Sequence, residues 1–245
     1  MITGASAGLG AEFARQSAAR GDELVLVARR LERLEALAAD LGNAHAIAAD
    51  LGDPDAPANL LSGIAARGLW VRTLINNAGF GLVGRFEALP LERQLAMVDL
   101  NLRALTALAH LVLPDMRDRG GGEILNVAST AAFQPGPGFA VYFATKAYVL
   151  SLSEALHQEL KGSGIKVAAL CPGPTATEFG EVAGMTSRRF ARLSADAAAV
   201  VRAGLAGLDR NKAVIVPGAM NKLSAQGGRL LPRAAMRRIV ARLKL

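Results

Sequence analysis

Tyr142 and Lys146 stand four residues apart within 141–160, a stretch of helical period, so both side chains leave the same face of one helix. A free phenol titrates near pH ~10, too high for an acid or base working at neutrality. A close ammonium favours the phenolate. A downward shift of about 2 to 3 units asks for roughly 3 to 4 kcal/mol, which one close charge in a half-buried site can supply. Ser129 falls at the end of the apolar run 124–128, where open α/β sheets bind ligands, and its hydroxyl can donate to a carbonyl oxygen beside that phenol. Ser129, Tyr142 and Lys146 are therefore the candidate set for moving a proton to or from a substrate oxygen.

A second kind of chemistry opens the chain. Thr3-Gly4-Ala5-Ser6-Ala7-Gly8-Leu9-Gly10 runs straight into a helical stretch. Glycines let a backbone turn tightly and approach a pyrophosphate, and a helix start offers free N–H groups with a partial positive charge. The loop reads as a dinucleotide phosphate site. Where NAD enzymes place an acid for the ribose 2′-hydroxyl, after the second strand, this chain has Arg29 and Arg30. An arginine fork binds a 2′-phosphate that a carboxylate would repel, so NADP(H) is the expected cofactor. An oxidised nicotinamide would then add its positive charge beside the phenol.

Two other spellings lead nowhere. Gly4-x-Ser6-x-Gly8 matches the nucleophile elbow of serine hydrolases, but that mechanism needs an acid and then a histidine downstream, and the last histidine, His157, lies mid-helix. Gly79-x-Gly81-x-x-Gly84 lacks the helix that a dinucleotide fingerprint must open, because residues 85–90 intervene.

Thr3-Gly-x-x-x-Gly-x-Gly10, Asp50-Leu51, Asn76-Asn77-Ala78-Gly79, Asn101, Ser129, Tyr142-x-x-x-Lys146 and Pro172-Gly173 occur in the order and spacing of one family. Over about residues 2–218 the chain resembles the single-domain short-chain dehydrogenases/reductases. The resemblance implies cofactor contacts from Gly4, Ser6, Gly8, Leu9 and Gly10. It implies adenine binding at Asp50 with Leu51, and a ribose wall from Asn76, Asn77, Ala78 and Gly79. Lys146 would also bond the nicotinamide ribose, and Asn101 would hold a water linking that lysine to solvent. Pro172, Gly173, Thr175 and Thr177 would form the nicotinamide-side loop. The implied activity is NADP(H)-dependent interconversion of a ketone or aldehyde and an alcohol. A catalytically silent NADP(H) sensor is the alternative, and the intact Ser129, Tyr142 and Lys146 speak against it. Epimerases and dehydratases of the wider superfamily carry an extra substrate domain, for which this length leaves no room.

These residues need a frame. Continuous apolar runs at 24–28, 44–48, 71–75, 124–128, 166–170 and 213–216 read as strands buried on both faces. Helical stretches lie between them at 9–20, 31–41, 91–116, 141–160 and 195–208. The expected architecture is an α/β doubly wound parallel sheet, a Rossmann fold with helices on both faces, in one domain over 1–245. In the family the central first strand has about five residues, and here only Met1 and Ile2 precede the loop. Three lost apolar side chains at ~1.5 to 3 kcal/mol each remove ~5 to 9 kcal/mol, against a typical domain stability of ~5 to 15 kcal/mol. That predicts a largely missing first strand, marginal stability and residues upstream of Met1.

Composition narrows the rest. With 51% hydrophobic and 20% charged residues the chain is globular, neither disordered nor a disulfide scaffold. Lone Cys171 fits a reducing compartment, and the opening residues lack a secretory pattern, so cytoplasmic residence is expected. Charge, Gly or Pro interrupts each apolar run before the ~18 residues of a span, so no transmembrane helix is expected. His45, His110 and His157 show no metal-ligand spacing, so no metal is expected.

The net charge of +7 sits in the basic tail 229–245, which carries six basic residues; the remaining 228 residues have 22 basic minus 21 acidic, or +1. That distribution excludes a nucleic-acid stripe. In the tail, Leu231, Met236, Ile239, Val240 and Leu243 keep helical spacing opposite Arg233, Arg237, Arg238 and Lys244. The favoured reading is a helix packed on its own subunit or a partner; contact with an anionic membrane surface is the alternative. The stretch 91–116 is apolar nearly all round, which predicts cover by the sheet and by a second subunit, hence a homodimer or homotetramer, with the chain's own C-terminal segment as the other candidate cover. Phe133, Phe139, Phe143, Phe179, Met185 and Phe190 flank the catalytic residues and predict an apolar mouth for a hydrophobic small-molecule carbonyl substrate.

Overall fold

The computed structural model describes residues 1–184, 194–230 and 232–242. Its centre is one seven-stranded sheet in which every paired strand is parallel, in the order β3-β2-β1-β4-β5-β6-β7. The strands are β1 Ile2–Thr3, β2 Leu24–Ala28, β3 Ala44–Ala48, β4 Thr73–Asn76, β5 Gly122–Val127, β6 Ile165–Leu170 and β7 Val214–Ile215. Helices α1 Gly8–Ala18, α2 Leu31–Leu41 and α3 Ala56–Ala65 connect the first four strands. The long connection from β4 to β5 is α4 Leu91–Val98, a π turn Asp99–Ala104, α5 Leu105–Leu111 and α6 Leu113–Asp118. After β5 come α7 Ala140–Glu159, the short α8 Phe179–Val182, α9 Ala197–Asp209, α10 Ala219–Leu230 and α11 Arg233–Arg242. This is the doubly wound Rossmann arrangement, and the strand order reverses between β1 and β4. That reversal opens a crevice at the carboxyl ends of the strands.

Each sheet face carries its own core. On one, Phe13 and Ala14 of α1, Leu34 of α2 and Val200, Val201 and Leu205 of α9 pack against Ile2, Leu26, Leu125 and Leu170. On the other, Leu60 and Ile64 of α3 with Leu108, Val112 and Met116 pack against Val25, Val27, Leu74 and Ile124. Fully burying a Leu, Ile, Phe or Met contributes about 1.5–3 kcal/mol, so these two layers fix where the strand ends point.

The first strand is short but present. Ile2 pairs with Leu26 on one side and Ile75 on the other, so two residues make β1 the central strand. The Ile75 N–H donates to the Met1 carbonyl at 2.9 Å, which carries the contact with β4 one residue further back.

Leu91–Asp118 is long and apolar enough to cross a membrane by length and composition, against the expectation that charge breaks every such run. Its inward side is spent on the sheet, through Ala104, Leu108, Val112 and Met116, so here it covers a core. Its outer side leaves Leu91, Leu95 and Leu111 exposed. The tail helix α11 packs on its own subunit, as favoured from the sequence: Met236 and Val240 are buried in a cluster with Met97, Ala131, Phe139, Tyr142, Phe143 and Ala183. Leu231, Leu243 and Lys244 lie outside the described residues.

Candidate active site

The crevice is a cavity of about 650 Å³ running from the glycine loop to α7, and most of the sequence-predicted site lines it. Gly4, Ser6, Gly8 and Leu9 form one end, with Arg29, Arg30, Asp50 and Leu51 beside them. Asn77, Ala78 and Gly79 form the floor, and Ser129, Tyr142, Lys146, Pro172, Gly173, Thr175 and Thr177 the far end.

The glycines are there for backbone reasons. Gly4 and Gly8 have φ of 66° and 55°, the left-handed region, and a Cβ on Gly10 would stand 2.1 Å from the Gly4 carbonyl oxygen. Gly10 therefore does not line the cavity; it lets α1 start against the loop. No side chain caps α1, whose first turn begins at Gly8 on the cavity wall. Free N–H groups at a helix start and a flat glycine approach suit a pyrophosphate. Arg29, Arg30 and Ser6 suit a phosphate on the adenosine ribose. The residues present thus fit a nicotinamide dinucleotide.

Thr3 holds this end together, a part its place ahead of the glycines does not announce. Its hydroxyl accepts the N–H groups of Asn77 and Ala78, both at 2.9 Å, while the Asn77 amide donates to the Thr3 carbonyl at 2.9 Å and the Gly4 carbonyl at 3.3 Å. Asp50 accepts the Gly52 N–H and is exposed at the cavity edge. Asn76 does not join the ribose wall. Its side chain points to the opposite side, donating to the Leu105 carbonyl and to Asn126, whose own amide donates to Ser153. Successive strand residues face opposite sides, so Asn77 and Asn76 cannot both face the crevice.

At the catalytic end α7 presents Tyr142 and Lys146 on one face, with the ammonium 5.8 Å from the phenol ring centroid. Lys146 Nζ donates to the Val127 carbonyl at 2.7 Å. Ser129 caps the short turn Thr130–Phe133 by accepting the Ala131 N–H, and its hydroxyl reaches the Pro172 carbonyl at 3.5 Å. The phenol is buried, and burial pushes its pKa up to about 12, against a hydrogen bond with Ser129 that lowers it. Burial pushes Lys146 down to about 8, with a smaller opposing effect of Cys171. Spacing alone predicts that the neighbouring ammonium acidifies the phenol. Among the protein's own groups desolvation wins instead, because the ammonium sits beside the ring and is itself desolvated.

Asn101 lies on the π turn and does not line the cavity. Its amide donates to the Phe80 carbonyl at 3.0 Å and to Thr145 Oγ1 at 3.1 Å, and its oxygen accepts the Phe80 N–H at 3.1 Å. Both amide hydrogens are spent tying the 80 segment to α7. A Cβ on Gly79 would meet Asn101 Oδ1 at 2.9 Å and Lys146 Nζ at 3.8 Å, so Gly79 lets these two side chains close over the floor.

The aromatic mouth is partly as expected. Phe139, Phe143 and Phe179 line the cavity, joined by Phe80 and Val182. Phe133 packs instead against the cluster around Val149 and Cys171, and Met185 and Phe190 lie outside the described residues. Asn221 and Ser224 of α10 also reach the cavity, which the sequence did not suggest. The two decoys stay apart from catalysis. Ser6 Oγ accepts from Arg30, with no histidine bonded to it among the described residues, and Gly84 leads into the short turn Phe86–Ala88. His45 faces Glu23 at 2.9 Å and His157 Nδ1 meets the Val167 carbonyl at 2.8 Å.

A crevice at the switch point of a parallel sheet, floored by glycines and closed by Ser, Tyr and Lys, defines a dinucleotide-dependent enzyme. The short chain dehydrogenase family matches residues 1–186. A sulfoacetaldehyde reductase of Chromohalobacter salexigens is 41% identical over 184 residues, which span 73% of this chain and 72% of that protein. A short-chain dehydrogenase of Sphingobium yanoikuyae, solved in complex with NADPH, has a TM-score of 0.83 at 38% identity, covering 94% of this chain and 92% of that one. The bulky-bulky ketone specific alcohol dehydrogenase of Comamonas testosteroni has a TM-score of 0.79 at 34% identity, covering 94% and 90%. The chain belongs to the short-chain dehydrogenase/reductase family. It is an oxidoreductase that acts on carbonyl and alcohol groups with a nicotinamide dinucleotide.

Proposed function

We propose that the chain is an NADP(H)-dependent reductase or dehydrogenase of a hydrophobic ketone or aldehyde and its alcohol, with Tyr142 as the acid/base. The observation that carries this reading is the set of half-buried Ser129 with buried Tyr142 and Lys146 facing an aromatic wall at the end of a glycine-floored cavity. A bound nicotinamide would supply or accept the hydride at the substrate carbon. Ser129 donates to the substrate oxygen and holds it at the phenol. Tyr142 gives that oxygen a proton in reduction and takes it back in oxidation. Lys146 keeps a cation beside the ring and would hold the nicotinamide ribose. Asn101 acts as a positioning residue: its side chain locks Phe80 and Thr145.

NADP(H) over NAD(H) is supported by Arg29 and Arg30 at the end of β2, where no acid stands. A hydrophobic substrate is supported by Phe80, Phe139, Phe143, Phe179 and Val182, with no cationic side chain among the described residues of that wall besides Lys146. A homo-oligomer is supported by the outer face of the β4–β5 connection. Leu91, Leu95 and Leu111, with Tyr148 of α7, are 40–60% exposed, a surface a second copy would cover to give a homodimer or homotetramer. The whole chain is taken as one domain, since one sheet collects strands from residue 2 to 215. Buried Cys171 suits a reducing compartment and supports cytoplasmic residence. The reading is tested by a panel of ketones, aldehydes and alcohols with NADPH and NADH, followed by nicotinamide absorbance. Turnover of apolar ketones with NADPH supports it; preference for NADH, or turnover confined to small polar sugars, defeats it.

A further inference from the structure

Glu178 lies on the loop after β6, directly before α8, and is 148 residues from Arg30 and 145 from Arg33. Its Oε1 receives Arg33 Nη1 at 2.8 Å, and its Oε2 receives Arg30 Nη1 and Nη2, both at 3.3 Å. Arg30 at the same time donates to Ser6 Oγ, from Nε at 3.3 Å and from Nη2 at 3.0 Å. One carboxylate is thus held by two guanidinium groups, at the end of the cavity where the glycine loop, the β2–α2 turn and the β6 loop meet.

Two guanidinium groups and a serine hydroxyl are donors suited to a phosphate monoester, and a carboxylate is the protein's nearest equivalent of that anion. Arg33 first, then Arg30, hold the Glu178 carboxyl below the ordinary carboxylate range, so it is charged at neutral pH. All three side chains are 45–50% exposed. Exposed pairs of this kind are weak and exchange readily, so a better anion can displace the carboxylate. The adjacent Thr177 packs over the glycine loop: a Cβ on Gly8 would lie 3.1 Å from Thr177 Cβ. That contact keeps Glu178 near the arginines even after displacement, where it would repel a bound phosphate.

We propose that Glu178 is a specificity-determining residue that competes with the 2′-phosphate of the dinucleotide for Arg30 and Arg33, so the chain binds NADPH less tightly than its arginines alone would permit. This rests on the NADP(H) reading above. It adds Arg33 to the phosphate site and places an acidic discriminator on the β6 loop, far in sequence from the strand end where one is ordinarily sought.

The test is calorimetric binding of adenosine 2′,5′-bisphosphate and of 5′-AMP, which differ only in the 2′-phosphate, to the full chain and to its Glu178→Gln, Arg33→Ala and Arg30→Ala variants. Glu178→Gln should tighten the bisphosphate by about three- to tenfold, in line with removing two weak competing ion pairs, and leave 5′-AMP within about twofold. Arg33→Ala should weaken the bisphosphate and leave 5′-AMP alone. Unchanged or weaker bisphosphate binding in Glu178→Gln, with Arg30→Ala still lowering it, overturns the role of Glu178 while the NADP(H) reading stands. If the wild type does not distinguish the two nucleotides and Arg30→Ala changes neither, the NADP(H) reading fails and the role of Glu178 falls with it.

Discussion

The ring of Phe139 stacks on the ring of Tyr142, with centroids 4.5 Å apart and planes inclined by 19°. Phe139 is one of the most completely buried large side chains in the protein, and Gly81 leaves it room: a Cβ there would lie 2.6 Å from Phe139 Cζ. The stacked phenyl removes water from one face of the phenol, which contributes to the burial that drives the Tyr142 pKa up to about 12. Phe139→Ala should therefore have two effects. Stability should fall by ~3–5 kcal/mol from lost burial and the cavity left behind, read by denaturant unfolding. The Tyr142 pKa should move back toward 10, read by ultraviolet titration in a Tyr148→Phe background. Phe139→Leu, which keeps most of the volume, gives the same titration on a better-folded chain. A Tyr142 pKa unmoved in both variants would contradict the shielding role.

Glycine substitutions separate positions the backbone demands from positions it tolerates. Gly10→Ala would force a Cβ to 2.1 Å from the Gly4 carbonyl oxygen and 2.7 Å from Asn77 Nδ2. The loop and α1 must part, so nucleotide binding should be lost and the melting temperature should drop. A Cβ on Gly63, in α3, would meet nothing within 4 Å, and the backbone there has ordinary helical handedness. Gly63→Ala should raise stability by about 0.5–1 kcal/mol through helix propensity alone. Thermal unfolding and a nucleotide-binding titration on the two variants check both halves.

The buried lysine makes stability depend on pH in a definite direction. Lys146 has a folded pKa of about 8 against an ordinary 10.5, so between these values the unfolded chain binds more protons and stability rises as pH rises. From pH 8 to 9.5 the Lys146 contribution should be a gain of roughly 1 to 2 kcal/mol, partly offset by buried Cys171, whose thiol is pushed up from 9 to about 12 and removes stability as pH rises. Tyr142 acts oppositely and later: with a folded value of about 12 against 10, it removes stability as pH rises from 10 to 12. Lys146→Met should remove the rising contribution between pH 8 and 9.5 and leave the losses that Cys171 and Tyr142 cause as pH rises. Urea titrations at stepped pH decide it, and a Lys146→Met curve that runs parallel to the wild type over the lower window would refute the burial of an ionisable Lys146.

What could be read from the sequence depended on how far apart the interacting residues lie. The runs 24–28 and 44–48 and the helix 31–41 coincide with β2, β3 and α2, because each is a largely apolar or helix-periodic segment of the right length. Ser129, Tyr142 and Lys146 were legible because two sit one helical turn apart and the third ends a buried strand. The π turn at Asp99–Ala104 left no such mark, since nothing in its residue types departs from α-helix except Asn101. The cluster of Arg33 with Glu178 was invisible for a simpler reason: only the folding of the β6 loop over the glycine loop brings them together. The direction of the Tyr142 shift could not be read because spacing reveals the neighbouring charge but not the depth of burial, and here burial dominates.

Tyr142→Phe isolates the hydroxyl from everything else the ring does. The phenyl group keeps the stack on Phe139 and the contact with Phe179, 5.3 Å between centroids, so the cavity wall should survive the change. Lys146 still bonds the Val127 carbonyl, and the glycine loop is untouched. Nucleotide affinity should therefore stay within about twofold, while the loss of general acid/base catalysis, worth ~10²–10⁴-fold in typical cases, should bring turnover near background. Ser129→Ala should lower turnover less, because its hydroxyl orients and polarises the substrate oxygen without carrying the proton. Binding by fluorescence titration and steady-state rates on the same preparations separate the two effects. Turnover retained by Tyr142→Phe would remove the phenol from the reaction, and lost nucleotide binding would show that the hydroxyl supports the cofactor site instead.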